Sequence, residues 1–278
     1  MRERLAIVAL ALVLPLAAPA TPPASVAPWP AWRSLRLKAR TALFLTGRVD
    51  MELSRGKNAA LFQTATTARF MGAIIARSKT RTEIDRKTGH PRRYTSVTPK
   101  RGRRYIFGKR GYRVEKLVPR GDADAPLDQW ELKSKASFDY PVAASGKGFE
   151  PVFDYYGMLL YLAATDLENV GDEVTMMVAT SKGPKPYRVR IDEVRTNNRR
   201  YRDLATGKRR TIAARELRLM VAPGDAEDGG EGFMGMKGVT EIWVEADSKT
   251  LLSISGKVPG IPGRIVLELA ALAPVTNP

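Results

Sequence analysis

Polar and apolar residues alternate with period two along much of the chain. Leu35, Leu37 and Ala39 are interleaved with Arg36, Lys38 and Arg40, and residues two apart share one face of a β-strand. The same spacing recurs at Tyr187, Val189 and Ile191, at Leu217, Leu219 and Val221, and at Ile265, Leu267 and Leu269. Turn-forming residues separate such runs: Gly89, Gly108 to Gly111, Thr206-Gly207, Asp247-Ser248 and Pro259 to Gly263. Several of these connections are short enough for hairpins, which predicts an antiparallel meander.

One segment has a different period. Tyr155, Met158, Leu159 and Leu162 recur at i, i+3, i+4 and i+7, the spacing of a helix face. Asp154 suits the N-cap, where a carboxylate accepts an orphan backbone N–H, and Phe153 and Met158 stand at the two positions of a hydrophobic staple. The spacing predicts a helix over Tyr155 to Thr165, followed by a turn at Gly171-Asp172 and a strand from Val174 to Ala179. The fold class that follows is mainly β: a single large curved antiparallel sheet or open barrel with one short helix packed against it.

The first twenty residues do not belong to that pattern. Arg2 and Arg4 precede an apolar stretch from Leu5 to Ala18, and Ala18-Pro19-Ala20 supplies small residues at a cleavage site. The stretch has 14 residues, whereas a membrane-spanning helix needs about 20. Residues 1–20 therefore read as a secretory signal peptide, cleaved near Ala20, with a periplasmic or secreted product. A Pro/Ala-rich extended lead over 21–34, one β-rich domain over 35–273 and a tail over 274–278 complete the predicted organisation.

Charge narrows the partners. The formal net charge is +17, and it is concentrated. Arg77 to Arg120 holds 16 Lys/Arg against 3 acids, and Lys182 to Arg218 holds 13 against 4. A field this one-sided favours anionic partners, of which membrane lipid or an envelope component fits an exported chain. Arg92, Arg93, Lys100, Arg101, Arg103 and Arg104 flank Tyr94 and Tyr105 and are the candidate anion contacts. Interleaved arginine and aromatic residues also suit nucleic acid, but export removes nucleic acid from reach and none is expected as a partner.

The order of features has a counterpart. Phe153-Asp154-Tyr155-Tyr156-Gly157-Met158-Leu159-Leu160-Tyr161-Leu162 is followed by Val170-Gly171-Asp172 and by Tyr187-Arg188-Val189-Arg190-Ile191. Glu241-Ile242-Trp243-Val244 then precedes the Asp247-Ser248 turn, and Leu267-Glu268-Leu269 closes the series. Over residues 43 to 272 this resembles the exported bacterial family known as domain of unknown function 3108. The resemblance implies an envelope protein with a curved antiparallel sheet, similar in kind to periplasmic lipoprotein carriers. It implies no catalytic or binding residue. Between Arg77 and Arg120 the chain departs from the family in its density of Arg and Lys.

Residues for catalysis are scarce. The chain has no cysteine and a single histidine, His90, in a turn beside Pro91. Thiolate chemistry and Cys-ligated metals are excluded, and a Ser-His-acid triad has only a turn histidine to use. Asp225, Glu227, Asp228 and Glu231 lack calcium-loop spacing, and Gly146-Lys147-Gly148 is too short for a phosphate loop. Asp139 and Asp154 are carboxylates of the kind a glycosidase pairs, but nothing in the sequence couples them. No enzyme, cofactor or metal is predicted.

Binding is the better expectation. The segment Gly232 to Gly238, with Phe233, Met234 and Met236, has the composition of an adaptable lid over an apolar ligand. With Met158, Leu159 and Leu162 of the predicted helix, these are the candidate ligand-binding residues. The sequence admits two readings: a carrier holding a lipid-like or lipoprotein-linked ligand within a curved sheet, and an envelope protein that presents a basic surface to lipids, glycans or a protein. Alternating strands look alike around a ligand cavity and around a packed core, so the pattern alone does not choose. Nor does it give an oligomeric state.

Overall fold

In the computed structural model, residues 30–40, 45–224, 233–261 and 263–275 are described. They form fifteen strands. Eight precede the helix: β1 (Trp32–Arg40), β2 (Leu45–Arg55), β3 (Ala59–Phe70), β4 (Ala73–Asp85), β5 (Pro91–Thr98), β6 (Arg101–Phe107), β7 (Gly111–Val118) and β8 (Glu131–Asp139). After the two-residue β9 (Val152–Phe153) comes the single α-helix among the described residues, α1 (Tyr155–Ala163). Then follow β10 (Glu173–Thr180), β11 (Gly183–Asp203), β12 (Arg209–Pro223), β13 (Lys237–Glu245), β14 (Leu251–Lys257) and β15 (Arg264–Pro274).

All fifteen strands belong to one sheet, in the order β8-β7-β6-β5-β4-β3-β2-β1-β15-β14-β13-β12-β11-β10-β9. The two meanders are joined where the first strand pairs with the last, Leu35 opposite Leu272. The predicted mainly β architecture holds, with two departures from pure antiparallel pairing. β9 pairs with β10 in parallel, and so do Arg202 and Asp203 of β11 with Ala271 and Leu272 of β15. The second of these closes β11 to β15 into a ring of five strands. An odd number of strands joined by hairpins cannot close without one parallel pair. β11 reaches across to β15 because it is 21 residues long and carries a bulge between Ile191 and Glu193; bulges bend and twist a strand.

The open meander curls toward the ring. Tyr112 of β7 donates its phenol to the carbonyl of Thr180 at 2.9 Å and accepts from the amide of the same residue at 3.2 Å. Both sides of the curled sheet therefore meet across one tyrosine, and α1 lies within the curve. Its residues Tyr156, Gly157, Met158, Leu160, Tyr161, Leu162 and Ala163 are buried, leaving Tyr155 and Leu159 half-buried. The predicted helix is there, ending at Ala163 rather than Thr165. Its apolar stripe is not the one that the spacing picks out, because an enclosed helix is apolar on nearly every side. The lead is shorter than predicted, since Trp32 already begins β1 and is buried in the core.

Glu216 of β12 is fully buried, and its ion pairs tie β12 to β11. Arg199 makes a two-pronged contact at 2.6 and 3.1 Å, and Arg195 adds one at 3.0 Å while lying 3.7 Å over the Trp243 ring. Burial works to raise the Glu216 carboxyl, but hydrogen bonds from Arg199 and Arg195 hold it below its ordinary value. Removing one member of a wholly buried pair costs about 3–5 kcal/mol. Here both guanidinium groups keep some access to water. Glu216→Ala is therefore expected to cost less, about 2 kcal/mol, read as a shift of the urea midpoint.

Candidate functional site

The inner faces of β3 to β6 change character along their length. Near α1 they carry Phe62, Ile84, Tyr94 and Tyr105, all buried. Toward the other end the same faces carry Thr66, Ser78, Ser96 and Thr98, which surround a cavity of about 600 Å3. Hydroxyl side chains there are shorter than the aliphatic ones that would fill the space, and β-branching keeps threonine compatible with a strand.

The floor of the cavity is aromatic. Tyr155 and Tyr156, from the first turn of α1, face it together with Tyr94 and Tyr105. Tyr156 stacks on Phe62 at 5.1 Å, and its hydroxyl lies 3.3 Å from Thr64, itself 2.7 Å from Thr80. The helix that delivers these tyrosines is fixed by Asp154. Its Oδ1 accepts from the amides of Tyr156 and Gly157, at 3.0 and 3.2 Å, and from the Thr82 hydroxyl of β4 at 2.9 Å. The N-cap assigned from sequence is thus also a strut between helix and sheet. Its Oδ2 is buried without a partner. Desolvation raises the carboxyl to about 6, against the lowering effect of those three hydrogen bonds.

The opposite wall is aliphatic and comes from the second meander. Met234, Gly235 and Met236 of the tight turn Phe233–Gly235 and its neighbour face the cavity, with Val258, Pro259, Ile261, Ile265 and Leu267. Met236 is seated on Gly256 of β14, where a Cβ would stand 2.4 Å from the methionine sulfur. A side chain at position 256 would push Met236 from its place.

Three arginines, Arg48, Arg101 and Arg103, line the cavity, and no carboxylate does among the described residues. Arg48 is held by Asp50 at 2.5 Å, and Asp50 also takes Arg36 at 2.6 Å. Arg101 and Arg103 share the inner face of β6 with Tyr105, so cationic heads stand beside an aromatic floor. Such a lining suits a molecule with an apolar body and an anionic group.

The sequence candidates divide. Met234, Met236, Arg101 and Arg103 line the cavity. Met158 and Phe233 are fully buried and Leu162 is buried, while Leu159 is half-buried against the core. None of those four lines the cavity; the helix offers it its first turn rather than its apolar stripe. Arg104 points to the other face of β6, where Glu115 takes it at 2.6 Å and Arg113 at 3.1 Å. Arg92 is paired with Asp85 at 2.5 Å, and Arg93 and Lys100 are exposed away from the cavity. Strand alternation therefore splits what reads in sequence as one basic cluster. Sequence reasoning misses Tyr94, Tyr105, Tyr156 and the inward hydroxyl row as cavity residues. The signal that could have found them is Thr and Ser at positions where a core strand would place Val or Leu.

The residues weighed in sequence for catalysis lie in different settings. His90 is exposed, edge-on to Phe153 at 5.8 Å, and Asp139 is exposed while Asp154 is buried. Among the described residues no group of three His, Asp or Glu is placed to hold a metal ion. The acidic run Asp225 to Glu231 lies outside the described residues. No helix among the described residues is long and apolar enough to cross a membrane.

No protein-family model matches the chain, and no curated protein does. Among solved structures, it is similar to a β-barrel-like protein of domain of unknown function DUF1849 from Brucella abortus, with a TM-score of 0.51. The match covers 91% of this chain and 100% of that one at 10% sequence identity. The likeness is one of fold: a β-barrel-like sheet.

Proposed function

We propose that this protein is a non-enzymatic binding protein of the bacterial cell envelope that holds a lipid-like ligand, an apolar body with an anionic head, in the barrel cavity. The observation that carries the reading is the lining: aromatic floor, methionine and aliphatic wall, two inward arginines on β6 and, among the described residues, no carboxylate. A volume of about 600 Å3 falls within the range of small-molecule pockets. Export through residues 1–20 and kinship with domain of unknown function 3108 belong to the same reading.

Native mass spectrometry with lipid extraction, on protein purified gently from a bacterial periplasm, tests this first. A stoichiometric lipid-sized adduct is the expected result; a clean ligand-free mass that added lipids do not change would refute the proposal. A variant sharpens it. Ser78 faces the cavity from the inner side of β4, so Ser78→Trp fills the space. It is expected to weaken binding of a fluorescent long-chain fatty acid at least tenfold, with the circular dichroism spectrum unchanged.

A further inference from the structure

The hairpin that joins β3 to β4 is apolar where an exposed turn is ordinarily polar. Phe70 is 45% exposed, Met71 74%, Ile74 46% and Ile75 56%. Met71 and Gly72 both have positive φ, 49° and 86°, the combination of a two-residue hairpin turn that usually takes Asn-Gly. Methionine thus occupies an apex where a small polar residue would be less strained.

Register shows that the tip is apolar on both faces. Phe70 is opposite Ala73, Arg69 opposite Ile74 and Ala68 opposite Ala76, with Ile75 as the extra residue of a bulge. Phe70 and Ile74 therefore lie on opposite faces, with Met71 between them at the apex. A hairpin that packs on a core needs one apolar face. An end that is apolar on both faces suits immersion in an apolar medium. The tip is also the lip of the cavity, since Ile75 and Ala76 line it.

Charge names the medium. From Gly56 to Thr82 the chain has five cations, among them Arg69 and Arg77 just behind the tip, and no carboxylate. Arg69 hydrogen-bonds the Gly72 carbonyl at 3.3 Å and so stays at the base of the tip. Apolar side chains at an apex with arginines one step behind match an acyl layer under anionic head groups.

We infer that the β3–β4 hairpin inserts into the surface of an anionic lipid bilayer and turns the cavity mouth toward it. Phe70, Met71 and Ile74 enter the acyl boundary, and Arg69 and Arg77 meet the phosphates. This goes beyond ligand binding and is separable from it.

Because the chain has no cysteine, one introduced thiol gives a clean probe. Met71→Cys carrying an environment-sensitive fluorophore is expected to shift to the blue with phosphatidylglycerol-containing vesicles and far less with pure phosphatidylcholine. Val170→Cys is the control. Val170 is 61% exposed and precedes β10, whose opposite end at Thr180 lines the cavity; eight strand residues set it roughly 25 Å away. Its signal is expected not to move.

In flotation assays the triple variant Phe70→Ser, Met71→Ser, Ile74→Ser is expected to lose vesicle binding at least tenfold while keeping its fatty-acid affinity and urea midpoint. Vesicle binding equal to that of the unmodified protein would overturn the inference. So would an unmodified protein that does not float, or one that dimerises through the tip and becomes monomeric in the triple variant without binding vesicles. If flotation holds and fatty-acid binding is absent, the proposed ligand site falls and the membrane contact stands.

Discussion

Asp154→Asn is expected to gain stability on the unmodified protein as pH rises, by roughly 2 kcal/mol between pH 4 and pH 7. In the folded protein, burial lifts the Asp154 carboxyl from 3.8 to about 6 despite three hydrogen bonds. A carboxyl raised on folding binds its proton more tightly in the folded state, so its favourable contribution is complete below about pH 4. It is lost as pH climbs through 6, once a charge must sit in a site where Oδ2 has no partner. Asparagine keeps the oxygen that Thr82, Tyr156 and Gly157 donate to, is a good N-cap and does not titrate. Urea unfolding of both proteins from pH 4 to pH 8 gives the difference directly, because the other carboxyls cancel. A difference that does not change with pH would mean that the cap is ionised throughout.

The second large effect concerns the head-group end of the cavity. Arg101→Ala with Arg103→Ala is expected to weaken a long-chain fatty acid about 100-fold, roughly 3 kcal/mol, since charge-assisted hydrogen bonds contribute ~1.5–3 kcal/mol each. The matching fatty alcohol is expected to change less than threefold. That contrast separates loss of a charged partner from collapse of the cavity, which would reduce both. The double lysine variant is expected to recover part of the affinity, because it restores charge without the planar fork. Equal losses for acid and alcohol would show that the arginines shape the wall and do not read the ligand. Isothermal titration with both ligands decides it.

Much of this architecture is legible in sequence because burial imposes a short period. The strands at Leu35, Tyr187, Leu217 and Ile265 all lie where alternation puts them, and Asp154 starts the helix. What is not legible follows from closure of the sheet. Nearly the whole circumference of α1 is enclosed, so a stripe at i, i+3 and i+4 carries no information about which side meets the cavity. Arg101, Arg103 and Arg104 are neighbours in sequence, yet the pleat sends the first two inward and the third outward to Glu115. The cavity itself is marked by an absence of aliphatic bulk at Thr66, Ser78 and Ser96. A hydrophobicity pattern registers such residues merely as polar. The tip at Phe70 and Met71 breaks the rule that turns are polar, a violation written in the amino-acid order itself.

The position of β15 bears on how the molecule is made. It is the last of the fifteen strands in the chain, yet it stands in mid-sheet between β1 and β14 and also receives the end of β11. As the polypeptide emerges, β1 to β7 can zip together by short hairpins and β8 joins after a longer loop, but the free side of β1 has nothing to pair with until residues 264–274 arrive. The ring, too, stays unsealed until then. Unpaired strand edges recruit other strands, and contacts between distant parts of a chain form slowly. Misassembly is therefore most dangerous in the interval before β15 docks, and a polypeptide cut short of Arg264 would be left as two separate sheets with adhesive borders.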